Sequence, residues 1–78
     1  MTVTVKFFAS LREQLGQHEI QVDLDGSECT VQEIWRRATE AKQLPANVLA
    51  SINMAYAKLD APVHDGDEIA FFPPVTGG

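Results

Sequence analysis

One segment of the sequence has the periodicity of a full helix, and segments with the alternation of β-strands lie on both sides of it. The helix begins at Thr30, which can form a capping box with Glu33. The residue before Pro45 avoids helical geometry, so the helix is expected to end by about residue 43. A single apolar stripe follows the cap at i, i+3, i+4 and i+7, formed by Val31, Ile34, Trp35 and Ala38.

Alternating apolar and polar residues predict the strands that this stripe must cover. Ile69 and Phe71 are expected to face the core, and Phe72 the opposite side. Phe8 departs from the pattern, because it is a large aromatic on the face that Thr4 and Lys6 mark as exposed. The predicted elements are a strand at 3–9, a helical turn at 10–15, a strand at 19–24, the helix, a buried strand at 49–53, a turn at 53–55, a short strand at 56–58, a turn-rich connection at 60–67 and a last strand at 68–72.

This order of elements favours an α+β fold, in which one main helix packs across one face of a mixed sheet of about five strands. It fits the β-grasp, the ubiquitin-like architecture. With 78 residues, the chain 1–78 is expected to form a single domain, because typical domains have about 100–150 residues. Residues 73–78 are expected to be a flexible tail. The fold alone discloses no function.

Charge and hydropathy exclude several classes of partner. Six Lys and Arg against eleven Asp and Glu give a net charge of −5, which argues against nucleic acid and against an anionic membrane. The longest uncharged stretch, 43–57, is too short and too polar to cross a bilayer. Met1 leads directly into a strand pattern, so no signal peptide is expected. A single cysteine excludes an internal disulfide, and the protein is therefore expected to be cytoplasmic.

The body of the domain offers no group suited to catalysis. Cys29 has no second cysteine beside it, and His18 and His64 are too few and too dispersed for a zinc site. Residues 65–68 lack the spaced oxygen ligands of a calcium loop and are read as a turn. No metal site and no bound cofactor are expected, and no role is assigned to Cys29 or to either histidine.

The C-terminus is the exception. Pro73 and Pro74 end strand pairing, because proline has no N–H to donate, and the chain finishes on Gly77 and Gly78. Six residues from Pro73 can reach about 20 Å when extended. Glycine has no side chain, so the end of such a strip can enter a channel too narrow for a Cβ. The group delivered is the Gly78 carboxylate, which is a poor electrophile until an enzyme activates it.

Two aromatic residues support a docking role beside this tail. In a β-grasp the first and last strands pair, so Phe8 and Phe72 would form one apolar patch at the root of the tail. With Val75 they indicate a surface for a protein partner.

These motifs resemble a known family, the small subunit of molybdopterin synthase, which is a ubiquitin-like sulfur carrier. The resemblance lies in Phe7-Phe8-Ala9 with Arg12-Glu13, in Asn53, and above all in residues 65–78. It implies that a ubiquitin-activating-like adenylyltransferase uses ATP to adenylate Gly78. A sulfur donor then converts the adenylate into a thiocarboxylate.

The resemblance also implies how the sulfur is used. The tail enters the large synthase subunit, in a heterotetramer of two small and two large subunits, and transfers sulfur to cyclic pyranopterin monophosphate during molybdenum cofactor biosynthesis. Gly77 would allow passage through the channel. Phe8, Phe72, Pro73, Pro74, Val75 and Thr76 would bind the partner. Two alternatives stay open, a thiamine-pathway sulfur carrier, which also ends in Gly-Gly, and a non-catalytic β-grasp adaptor.

Overall fold

The first and last strands of the chain lie side by side in the middle of the sheet. The computed structural model describes residues 1–26, 28–40, 44 and 47–74. The elements are β1 (Thr2–Phe7), α1 (Ser10–Leu15), β2 (Glu19–Asp23), β3 (Cys29–Thr30), α2 (Val31–Ala38), β4 (Leu49–Ile52), β5 (Ala55–Ala57), β6 (Pro62–Val63) and β7 (Glu68–Phe72).

The main sheet has five strands in the order β2-β1-β7-β4-β5, and a second sheet pairs β3 with β6. β1 and β7 are parallel, with Val5 opposite Ile69, whereas β2, β4 and β5 each run antiparallel to their neighbours. Parallel neighbours need a crossover connection, and here α2 lies within it. The predicted mixed sheet with one main helix is confirmed.

Three aromatic side chains form the centre of the core between α2 and the sheet. Trp35 from the helix meets Phe71 edge-to-face with ring centroids 5.0 Å apart, and it meets Phe7 in the same manner at 5.9 Å. Phe7 and Phe71 stack at 6.0 Å. All three are buried, and such ring pairs add about 0.5–1.5 kcal/mol each beyond the area they bury. The expectation that Trp35 is the largest core residue of the helix is confirmed.

The helix α2 begins where the cap predicts and ends earlier than expected. The Thr30 hydroxyl accepts a hydrogen bond from the Glu33 backbone N–H at 3.3 Å. The helix ends at Ala38. The Thr39 backbone N–H still donates to the Trp35 carbonyl at 3.0 Å, but Glu40 then takes a left-handed φ of 57°. Pro45 therefore does not set the end of the helix. Residues 41–43 lie outside the described part of the chain.

Two further expectations need correction. The connection 60–67 contains the strand β6, whose Val63 pairs with Cys29 in β3, and both residues are buried. Two-residue strands are too short to show alternation, so the sequence pattern missed them. The strand at 49–53 was expected to be buried, but it ends at Ile52 and exposes 38% of Leu49. The next strand runs Ala55–Ala57, one residue earlier than expected.

Candidate docking surface

The face of the sheet turned away from α2 is polar on one half and apolar on the other. On β1 and β2 the outward positions carry Thr4, Lys6, Glu19, Gln21 and Asp23. Across β7, β4 and β5 the outward side chains are mainly apolar. We define the docking face as Phe8, Leu49, Met54, Tyr56, Ala70 and Phe72.

Exposed apolar side chains concentrate on this face. Among the residues that the structure describes, five large apolar side chains are exposed, and four of them belong to the docking face. Their exposed fractions reach 79% at Tyr56 and 91% at Met54. Single exposed apolar residues are ordinary on protein surfaces, but a contiguous group indicates an interaction site.

Phe8 and Phe72 lie together, as the sequence predicts. The Phe8 backbone N–H donates to the Phe71 carbonyl at 3.1 Å, which fixes the residue beside the end of β7. Phe8 is 47% exposed, and Phe72 is half-buried opposite Leu49 of β4. Ala9 follows Phe8 with a φ of 54°, so the chain turns sharply into α1 immediately after the aromatic side chain.

A groove of about 360 Å³ runs over the docking face between the two aromatics and the β4–β5 turn. Tyr56 forms one wall, with its ring centroid 6.0 Å from that of Phe72, and Met54 lies at the rim. The sequence patterns identified neither residue. Ala55-Tyr56-Ala57 is a single alternation with one large side chain, which is the only signal that the sequence contained for Tyr56.

Lys6 and Glu68 form an ion pair at the polar margin of the groove. The Lys6 Nζ lies 3.1 Å from the Glu68 Oε1, and both side chains are partly exposed. The hydrogen bond and the charge of Glu68 raise the pKa of Lys6 above its ordinary value of 10.5. Lys6 is therefore charged at neutral pH, but Glu68 neutralises it within the groove.

The acidic turn before β7 stabilises the fold through hydrogen bonds to neighbouring elements. The Asp65 carboxylate accepts a hydrogen bond from the Thr2 backbone N–H at 2.9 Å. Asp67 accepts from the Asn53 side-chain amide at 3.0 Å, and Asn53 in turn accepts from the Glu68 backbone N–H at 2.9 Å. These bonds tie the start of β1, the β4–β5 turn and β7 together. Within the described ranges, no three acidic, histidine or cysteine side chains are arranged to hold a metal ion.

The cysteine, the two histidines and the two prolines after β7 lie in different environments. Cys29 is buried in the core. His18 and His64 are exposed, and the His64 Nδ1 lies 3.9 Å from an Asp67 oxygen. Pro73 is half-buried and Pro74 is exposed, directly after β7. Val75, Thr76, Gly77 and Gly78 lie outside the described residues, so their predicted roles stay predictions.

Comparison with known proteins decides the family. Residues 5–78 match the family model described as the ThiS family. The chain belongs to the ThiS family. Two curated relatives of this ThiS-family chain are named molybdopterin synthase sulfur carrier subunit, one from Escherichia coli strain K12 and one from Haemophilus influenzae. Each is 39% identical over 84 aligned residues, which cover 97% of this chain and 99% of the relative.

Solved structures agree with the fold. SAMP1 from Haloferax volcanii is 30% identical, with a TM-score of 0.83 over 100% of both chains. The resemblance to molybdopterin synthase sulfur carriers that the motifs indicate is thereby confirmed. No helix in the described ranges of this ThiS-family chain is long and apolar enough to cross a membrane.

Proposed function

We propose that this chain is the sulfur carrier subunit of a molybdopterin synthase and has no catalytic site of its own. The observation that carries the proposal is the near-complete match, at 39% identity, to two curated subunits of that name. The fold agrees, because the described residues hold an apolar docking face. The cytoplasm, expected from the sequence, is the proposed location.

The chemistry belongs to the C-terminal carboxylate. A carboxylate oxygen of Gly78 attacks the α-phosphorus of ATP, and pyrophosphate leaves. A donor of sulfide-level sulfur then attacks the carbonyl carbon of the acyl-adenylate, and AMP leaves as the thiocarboxylate forms. ATP is therefore a substrate of the activating adenylyltransferase, and this chain binds no cofactor. In the synthase, the thiocarboxylate sulfur forms a C–S bond to cyclic pyranopterin monophosphate, and water then cleaves the resulting thioester, which leaves the sulfur on the pterin and returns Gly78 to its carboxylate.

The partner has to supply the positive charge for this transfer. Both the thiocarboxylate and the precursor are anionic, and preorganised cations stabilise developing negative charge. Around the groove this chain offers Lys6, which Glu68 neutralises at 3.1 Å. Lysine or arginine side chains in the large subunit are accordingly expected around the tail.

The docking face continues into the tail, so one partner can bind both. Phe72 ends β7, and Pro73 and Pro74 follow at once. A subunit that receives Gly77 and Gly78 therefore passes over Phe72 and Phe8. We assign Phe8, Phe72, Pro73, Pro74, Val75 and Thr76 to this contact, with the large subunit in a heterotetramer of two small and two large subunits.

Mass spectrometry of the intact chain tests the proposal. Incubation with the activating enzyme, ATP and a sulfur donor is expected to replace one oxygen by one sulfur, and fragmentation should place the change at Gly78. A change at Cys29 would contradict the assignment. A thiamine-pathway carrier would gain the same sulfur, so the loaded protein is also titrated with the molybdopterin synthase large subunit. Conversion of the pyranopterin precursor in that complex separates the two carriers, and an inert adaptor would show neither result.

Truncation of the two aromatics tests the docking face. Phe8→Ala and Phe72→Ala are each expected to weaken large-subunit binding by about thirtyfold, because a central interface aromatic is worth about 2 kcal/mol. Calorimetric titration gives the affinity, and thermal unfolding checks the fold. Ile20→Ala is the control, because Ile20 packs against the core from the inner side of β2. It should lower the Tm without changing the affinity of the folded protein. The same pattern for the phenylalanine variants would show that both are core residues.

A further inference from the structure

Met54 occupies a backbone position that is unfavourable for its side chain. Ile52 pairs with Ala55, so Asn53 and Met54 form a two-residue hairpin turn, with φ values of 50° and 72°. Positive φ at both positions is the type I′ turn, in which glycine is strongly preferred at the second position. A bulky side chain there strains the backbone, since its Cβ crowds the following carbonyl oxygen.

The two turn residues, Asn53 and Met54, differ in the contacts that their side chains make. Asn53 tolerates the left-handed conformation, and its side chain bonds to Asp67 and to the Glu68 backbone N–H. Met54 leaves 91% of its surface exposed at the rim of the groove, the largest exposed fraction among the large apolar side chains of the described chain. A residue that strains the backbone and exposes apolar surface indicates a contact made outside the chain.

We propose that Met54 is a specificity-determining contact for the large synthase subunit and inserts into an apolar, aromatic-lined socket on that partner. The inference rests on the proposed function. A methionine side chain adapts its shape easily and makes favourable contacts between its sulfur and aromatic rings. An aromatic-lined socket would therefore recognise it better than a polar surface would.

The position of Met54 defines the length of the interface. The groove follows β7 from Glu68, beside the turn, to Phe72, beside the tail. Four strand steps separate these residues, a distance of about 13 Å. The partner that accepts the tail already covers Phe72, so contact with Met54 extends its footprint along the whole strand. This continuity assigns the turn to the large subunit.

Met54→Gly tests the proposal, because stability and binding should change in opposite directions. Glycine relieves the strained φ, and even after its higher unfolded-state entropy is subtracted the Tm should rise by about 2–4 °C. The dissociation constant for the large subunit, measured by calorimetry in about 0.2 M salt, should increase about tenfold, as expected for loss of one apolar interface side chain. Met54→Leu keeps the apolar bulk and should retain most of the affinity.

Glu40→Gly is the matched control. Glu40 also has a left-handed φ, of 57°, and it follows α2 on the other side of the sheet. Its replacement should raise the Tm by a similar amount and leave binding unchanged. A lower Tm for Met54→Gly would overturn the proposal, since Met54 would then stabilise the fold.

Binding outcomes separate this proposal from the proposed function. Unchanged affinity in Met54→Gly, with a loss in Phe72→Ala, would refute the Met54 contact and leave the docking face standing. An effect on the KM for adenylation alone would assign Met54 to the activating enzyme and also overturn the proposal. Unchanged affinity in both variants would refute the docking face itself, and the Met54 contact with it.

Discussion

Deletion of Gly78 is expected to abolish sulfur transfer while the folded body and its docking face remain intact. The shortened chain still ends in a glycine carboxylate, but that carboxylate lies one residue, about 3.5 Å, short of its position in either partner. A misplacement of about 1 Å can already cost on the order of a hundredfold in rate, so a full residue should leave no measurable turnover. Intact-mass analysis and single-turnover conversion of the precursor measure the loss.

A second deletion distinguishes the effect of the length of the tail from the effect of its terminal Gly-Gly sequence. Removal of Thr76 preserves the terminal Gly-Gly but shortens the tail by the same one residue. If reach decides, both deletions are inactive. The Gly78 deletion keeps every residue assigned to the partner contact, so it should still bind the large subunit within a few-fold of the full chain. Thermal stability should not change in either case, because β7 ends at Phe72. Normal sulfur transfer without Gly78 would contradict the assignment of the reactive carboxylate.

The central sheet was predictable because its strands are half-buried and long enough to alternate. In β7 the burial of Ile69 and Phe71 follows directly from their spacing, and the outward position of Phe72 follows with it. The paired strands β3 and β6 have two residues each, so no alternation can identify them. The helix α2 ends before the proline signal because Glu40 takes a left-handed φ of 57°, and glutamate is not a residue type that marks such a position in a sequence.

The docking face was predictable only where a residue broke a pattern. Phe8 and Phe72 are aromatics at positions that their strands mark as exposed, and the structure places them in one groove. The sequence does not identify Tyr56, because β5 has only three residues and therefore shows a single alternation. The turn at Met54 is predicted from the sequence, but no pattern marks its side chain as part of this surface. Its strain becomes visible only in the backbone angles.

On the proposed function, the body and the tail have separate roles. The bonds described above that tie β1, the β4–β5 turn and β7 together, those of Asp65 and Asp67, lie before Pro73. Substitutions at Gly77 and Gly78 should therefore act on chemistry and delivery, and substitutions at the residues assigned to the partner contact should act on affinity.

Gly77→Ala is expected to slow sulfur transfer on the order of a hundredfold, and Gly77→Val should slow it further. One methyl group is sufficient to slow the transfer if the channel walls leave no space for a Cβ, since the tail must then shift from its productive position. An extended backbone is allowed for alanine and for valine, so neither variant should pay a conformational penalty of its own. The Tm and the affinity of the docking face should match those of the unchanged chain.

Two assays show which partner the altered tail fails to enter. Adenylation measured by pyrophosphate release reports passage into the activating enzyme. Single-turnover conversion with a chain supplied already as the thiocarboxylate reports passage into the synthase. We expect both rates to fall, and to fall more for Val than for Ala, because each partner must bring the Gly78 carbonyl carbon or its sulfur to a reacting atom. Full activity of Gly77→Val in both assays would show that the tail is not threaded through a narrow channel.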